Sequence, residues 1–194
     1  MNSRLRDYFK DHATIDVPTA ESIGTSRAVL SYLVKAGELQ RLAHGIYLPA
    51  DQIADELLAV SCRAPYIVFS HETALALHRL HNRIPPVPSV TLPTGKRVPH
   101  SIEGAVTVYH VRPEFHGLGL STANSFQGHP VPCYDGERTI CDIIRSYSRI
   151  DEETYLGAVR NYARWPARDL PRLFEYAQKM GIDRKVHKAM EVLL

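Results

Sequence analysis

Apolar positions change their spacing twice between residues 19 and 48, and each change marks an element. Ala20 and Ile23 lie three apart, as on one side of a short helix. Val29, Leu30, Leu33 and Val34 then recur at i, i+1, i+4 and i+5, the stripe of a helix with one buried face. Leu39, Leu42 and the Ile46, Tyr47, Leu48 run are short β-like stretches around His44 and Gly45. The punctuation agrees with this division. Pro18 suits a first helical turn, where its missing N–H costs nothing. Gly24 breaks the first helix, and Thr25 or Ser26 caps the next by accepting a free backbone N–H. Gly37 stands where a helix end takes positive φ, and Gly45 permits a tight turn. Short helix, turn, longer helix and hairpin is the plan of a winged helix-turn-helix, which offers a helix and a wing to a DNA duplex.

The flanks extend the pattern. Residues 3–12 read as an amphipathic helix with Leu5, Tyr8 and Phe9 inward, and residues 15–17 can add a third strand to the wing sheet. The winged domain therefore spans 1–49. Residues 51–63 read as a helix with Ile53, Leu57, Leu58 and Val60 inside. Residues 66–69 are a short apolar run, and 70–80 a helix that Ser70 could cap. Most prolines and glycines fall between 85 and 132. Within that span 89–92 and 105–111 alternate at period two and read as strands. Pro130 and Pro132 make 128–133 a hairpin return or an edge segment, since proline cannot donate to a ladder. Helices are expected at 135–147, with Ile140, Ile143 and Ile144 inside, and at 152–162, 168–179 and 184–194. The expected fold class is α+β. A C-terminal α/β domain, 50–194, with a small mixed sheet and several helices, follows the winged domain.

Charge restricts how such a protein could meet nucleic acid. The formal net charge is only +2 over 194 residues, so there is no global basic field and any DNA affinity must come from a local patch. Three cysteines, Cys62, Cys133 and Cys141, are odd in number and show no metal-ligand spacing. Reduced thiols, no leader-like apolar start and no membrane-length apolar run lead to a cytoplasmic expectation.

Three phrases carry a family resemblance. Gly37, Leu39, Arg41, Gly45 and Tyr47 stand at the spacing G-x-L-x-R-x-x-x-G-x-Y, similar to the string that closes the winged domain of AbiEi-type antitoxins. Residues 69–80 resemble that family's second signature. Residues 134–144 resemble a third, in which an acidic residue and an Arg-Thr pair (here Asp135, Arg138 and Thr139) open a helix, with Asp142 four residues after the arginine. The resemblance implies a type IV toxin–antitoxin or abortive-infection system. The winged domain would repress its own operon at inverted repeats, bound by a monomer or weak dimer acting cooperatively. The C-terminal domain would counter a nucleotidyltransferase toxin, with or without stable contact. One departure is His78-Arg79, where the family often has His-Gly; losing that glycine implies that the helix runs on.

The residues expected at DNA are Thr25, Ser26, Arg27, Ser31 and Lys35 on the second helix, and Arg41 and His44 on the wing. Arg27 lies near the helix start, where it could fork onto guanine O6 and N7. Thr25 and Ser26 offer hydroxyls and N–H groups to phosphate, and Lys35 suits phosphate. Helix-turn-helix geometry can also serve packing alone. DNA binding is favoured over that because a cationic, small-residue helix face, a wing bearing Arg41 and His44, and almost no linker between them coincide. The other class considered is a regulator whose larger domain is a nuclease or a ligand sensor. Asp135, Glu137 and Asp142 could form a carboxylate cluster, but the first two more simply charge a helix start and Asp142 fits an i, i+4 pair with Arg138. His71 and His78 share a helix face without the zincin spacing and read as interior hydrogen-bonding groups. Arg160, Arg164 and Arg168 would align only if their helix ran through Pro166. No catalytic residue, metal or cofactor is expected.

Overall fold

A computed structural model of the chain describes residues 1–191 and has two compact units, Met1–Pro65 and Tyr66–Leu194. Asn2 starts the first unit: its side-chain oxygen accepts the Leu5 N–H at 2.9 Å and caps α1 (Ser3–Asp11). Leu5 is buried from this helix, with Tyr8 and Phe9 packed beside it. β1 (Ile15–Asp16) follows, and the Asp16 carboxylate accepts the Thr19 N–H to cap α2 (Val17–Ser22), with Pro18 in its first turn. α3 (Arg27–Lys35) comes next, then β2 (Leu39–Ala43) and β3 (Ile46–Pro49), which form an antiparallel sheet in the order β1-β3-β2. Leu5, Ile15, Ala20, Leu30, Leu33, Leu39 and Tyr47 form the core of this arrangement.

The unit does not stop at residue 49. α4 (Glu56–Arg63) packs Leu58, Ala59 and Cys62 against Leu42, Ile46 and Leu48, and Arg63 donates to the Leu42 carbonyl at 2.6 Å. The compact unit therefore extends past the boundary expected at 49 to Pro65, because these apolar groups complete the outer side of the hairpin. The Asp55 carboxylate fixes where α4 begins by accepting from Leu57 and Leu58. The expected start at 51 is corrected accordingly, and Ile53, expected inside, is 79% exposed.

In the second unit β4 (Val68–Phe69), β5 (Ser89–Pro93), β6 (Thr107–Val111), β7 (Leu120–Asn124) and β8 (Pro130–Tyr134) form a mixed sheet in the order β6-β5-β4-β8-β7. β8 is an inner strand, not an edge. Gly119 accepts from Asp135 and Ser125 donates to His129, so alternate residues of β8 face β7. Pro130 and Pro132 fall on the other positions, towards β4, where pairing is reduced to Phe69 with Cys133. A missing N–H is tolerated there. α5 (His71–Leu77) and the one-turn α6 (Pro113–His116) connect strands; α7 (Gly136–Arg145), α8 (Glu152–Ala163), α9 (Leu170–Lys179) and α10 (Asp183–Glu191) complete the unit. α7 is buried from Gly136 to Ile144, and Ile140, Ile143 and Ile144 join the main core with Leu173, Ala177 and Val186. Gly136 is required by this packing: an added Cβ would lie 2.4 Å from the Trp165 ring.

α5 ends at Leu77 and does not run on. Leu80 donates to Leu75 and Arg79 donates to Ala76, closing the helix with Arg79 in the left-handed region at φ 57°. Ser70 precedes α5 but makes no cap bond; its hydroxyl accepts from Thr91 instead. No helix among the described residues is long and apolar enough to cross a membrane.

Candidate nucleic-acid interface

The sequence of α3 divides the helix into two faces. Leu30 and Leu33 are buried and Val34 packs beside them, while Arg27, Ala28, Ser31, Tyr32 and Lys35 are exposed. At about 100° per residue the exposed set forms one continuous surface. The Ser26 hydroxyl accepts the Val29 N–H at 3.4 Å and caps the helix. No acidic residue occurs within α3. Arg27, Ser31 and Lys35 make no side-chain hydrogen bond or ion pair among the described residues, so their polar groups face solvent. The first unit as a whole has seven Lys and Arg against eight Asp and Glu, and a cationic surface there must be local.

The turn before α3 is built tightly. Gly24 takes φ 83° and donates to Glu21, and Thr25 donates its N–H to Ala20. Thr25 is only 1% exposed, and its hydroxyl accepts from the Asn2 side chain at 3.2 Å. The expectation that Thr25 offers a hydroxyl to phosphate is corrected: the side chain ties the start of α1 to the turn.

Arg41 and His44 lie together at the hairpin tip. Arg41 Nη2 is 2.9 Å from His44 Nδ1, and Arg41 Nε donates to the Ala43 carbonyl at 3.2 Å. Since arginine only donates, His44 Nδ1 acts as the acceptor in this pair. A register shift between Arg41 and Ala43 twists the strand here, and Gly45 completes the turn at φ 74°. Both side chains are exposed.

Two residues of the α3 surface were not among the expected contacts. Tyr32 is 67% exposed, and Val29, expected in the core, is 40% exposed. Val29 and Val34 flank the Leu30–Leu33 stripe by similar angles on opposite sides, so spacing alone cannot decide between them. The core covers Val34.

The second unit's candidate chemistry is occupied by structure. Arg138 and Asp142 are both fully buried and pair at 3.1 Å, Arg145 adds a second ion-pair contact to Asp142 at 3.1 Å, and Arg138 Nη1 donates to Phe115 and Leu118. Arg138 also lies over the Tyr134 ring at 4.1 Å. Asp135 caps α7 and accepts from Tyr176, while buried Glu137 accepts from Tyr162 and from the Asp169 N–H. Burial raises the Asp135 carboxyl above its ordinary value. His71 hydrogen-bonds with Ser70 and Ser146 and stacks on Tyr109 at 3.4 Å, and Arg149 covers that ring at 3.9 Å. His78 donates to the Tyr134 carbonyl at 2.6 Å. Among the described residues no group of three or more His, Cys, Asp or Glu could hold a metal ion. α8 stops at Ala163, so Arg160, Arg164 and Arg168 do not share one helix.

No curated protein matches the chain. The crystal structure of the RV2827C protein from Mycobacterium tuberculosis has a similar fold, with TM-score 0.65 over 97% of this chain and 75% of that one, at 14% identity. At that identity the likeness concerns the fold alone. Residues 3–50 match the family model described as "Transcriptional regulator, AbiEi antitoxin". The matched span runs from α1 to the end of β3, and the 69–80 and 134–144 phrases lie outside it. The N-terminal part of the chain, residues 3–50, is thus similar to the AbiEi antitoxin family of transcriptional regulators, and this supports a DNA-binding regulator.

Proposed function

We propose that the protein is a cytoplasmic antitoxin of a type IV toxin–antitoxin system that represses its own operon. In this reading the α2–α3 helix-turn-helix docks on operator DNA carrying inverted repeats, with α3 in the major groove and the β2–β3 hairpin as a wing on the backbone. Arg27 and Ser31 reach base edges, Ser26 and Lys35 hold phosphates, and Arg41 and His44 act from the wing. A monomer or weak dimer fills the repeats cooperatively. The second unit counters a nucleotidyltransferase toxin, and the protein acts by binding, not by catalysis.

The observation that carries the reading is the exposed face of α3, with Arg27 and Lys35 unpaired among the described residues and no acid on the helix. The test uses the full-length chain with the DNA upstream of its own gene, in a gel-shift titration and a promoter–reporter assay. Retarded, repeat-dependent complexes and repression of the reporter are expected. The neighbouring gene should encode a nucleotidyltransferase toxin, and co-expression with this chain should restore growth to cells that carry that toxin. Binding no tighter than to scrambled DNA would overturn the regulatory part, and unrelieved toxicity the antitoxin part.

A further inference from the structure

We infer that α3 reads thymine methyl groups in the major groove through an apolar patch formed by Ala28, Val29 and Tyr32. The inference rests on the DNA-binding reading above and specifies its ligand chemistry. The core requirement of this nine-residue helix is met by Leu30 and Leu33, yet Val29 and Tyr32 remain exposed at 40% and 67%. Val29 and Tyr32 are three apart and Ala28 and Tyr32 four apart, so all three are neighbours on the helix surface. Arg27 and Lys35 stand at the two ends of the helix, and Ser31 lies beside the patch.

This arrangement is complementary to one feature of duplex DNA. Lys35 at one end suits a phosphate beside the groove, and Arg27 at the other suits a base edge next to the patch. Ala28 projects only a methyl group and lets the helix backbone approach closely. The apolar side chains need an apolar partner, and among base edges in the major groove that partner is the C5-methyl of thymine. A half-site should therefore place thymines beneath the first two turns of α3.

Each methyl taken from water contributes about 0.8 kcal/mol, which is roughly fourfold in affinity. The experiment begins by selecting duplexes from a random-sequence library with the full-length protein. Each thymine of the enriched sequence is then replaced singly by deoxyuridine, which removes only the methyl. Affinities are measured for wild type, Val29→Ala, Tyr32→Ala and Tyr32→Phe. The expected result is a roughly fourfold loss at one or more thymines in wild type. That loss shrinks towards none in Val29→Ala or Tyr32→Ala and persists in Tyr32→Phe, which keeps the ring. Both truncations remove exposed side chains, so thermal melting should match wild type and confirm that the variants are folded. Two outcomes overturn the inference while leaving the DNA-binding reading intact: an enriched sequence insensitive to deoxyuridine, or a penalty unchanged in both truncations. Failure to enrich any sequence overturns the DNA-binding reading itself.

Discussion

α3 and α7 are helices of nine and ten residues, each capped by a side-chain oxygen at its start, Ser26 in one and Asp135 in the other. Their cations are used in opposite ways. Arg138 in α7 is fully buried and spends its guanidinium on Asp142, two carbonyls and a tyrosine ring. Arg27 and Lys35 in α3 face solvent without partners among the described residues. A sequence pattern shows that both helices carry arginine beside an apolar stripe. Only burial separates a charge that holds the fold from a charge available to a ligand, and α3 carries the proposed interface for that reason.

The comparison can be broken most severely at α7. Arg138→Ala leaves Asp142 buried with part of its pairing gone, and should lower the stability of the second unit by about 3–5 kcal/mol, measured by urea unfolding. Arg27→Ala, which removes no internal contact, should leave that unfolding unchanged.

Acid should distinguish the two units next. Burial lowers His71 from 6.5 to about 3. Between those values the unfolded chain takes up a proton that the folded second unit refuses. Stability should therefore be complete above pH 6.5 and decline as pH falls towards 3. His71→Asn should flatten this dependence in thermal melts taken across that range, since the amide does not titrate and tolerates the left-handed φ of 49° at this position.

Smaller effects sharpen the picture. Thr25→Val removes the partly buried bond with Asn2 and should cost about 1 kcal/mol in unfolding of the first unit. Because its hydroxyl faces inward, DNA affinity measured below the melting transition should not change. Arg79→Gly relieves a left-handed arginine at the end of α5 and should stabilise the second unit by about 1 kcal/mol, seen as a raised melting temperature.

Local signals made most of the first unit legible: Pro18, Ser26 and Gly45 each fix one backbone event, and the Leu30–Leu33 stripe fixes one face. The errors arose where a longer-range partner decides. Thr25 and Ser26 are equivalent as cap candidates in sequence, but Asn2 lies twenty-three residues from Thr25 and draws its hydroxyl inward. The compact unit runs past 49 to Pro65 because α4 completes the hairpin's packing, which no linker composition announces. Ser70 and Arg79 were misread for a similar reason: Thr91 takes the serine hydroxyl, and the chain turns at Arg79 without the glycine that would mark it. In the candidate interface, Arg27, Ser31, Lys35, Arg41 and His44 were legible as exposed polar groups. Val29 was not, because its position on the wheel is as close to the core stripe as that of Val34.

The most direct test of the central claim is the affinity of full-length protein for its upstream DNA, compared between wild type and Arg27→Ala in one gel-shift series. A loss of about 1–3 kcal/mol is expected in the variant, with relaxed preference at one base pair and an unchanged melting temperature. Equal affinity of the two proteins for that DNA, with both folded, would contradict it.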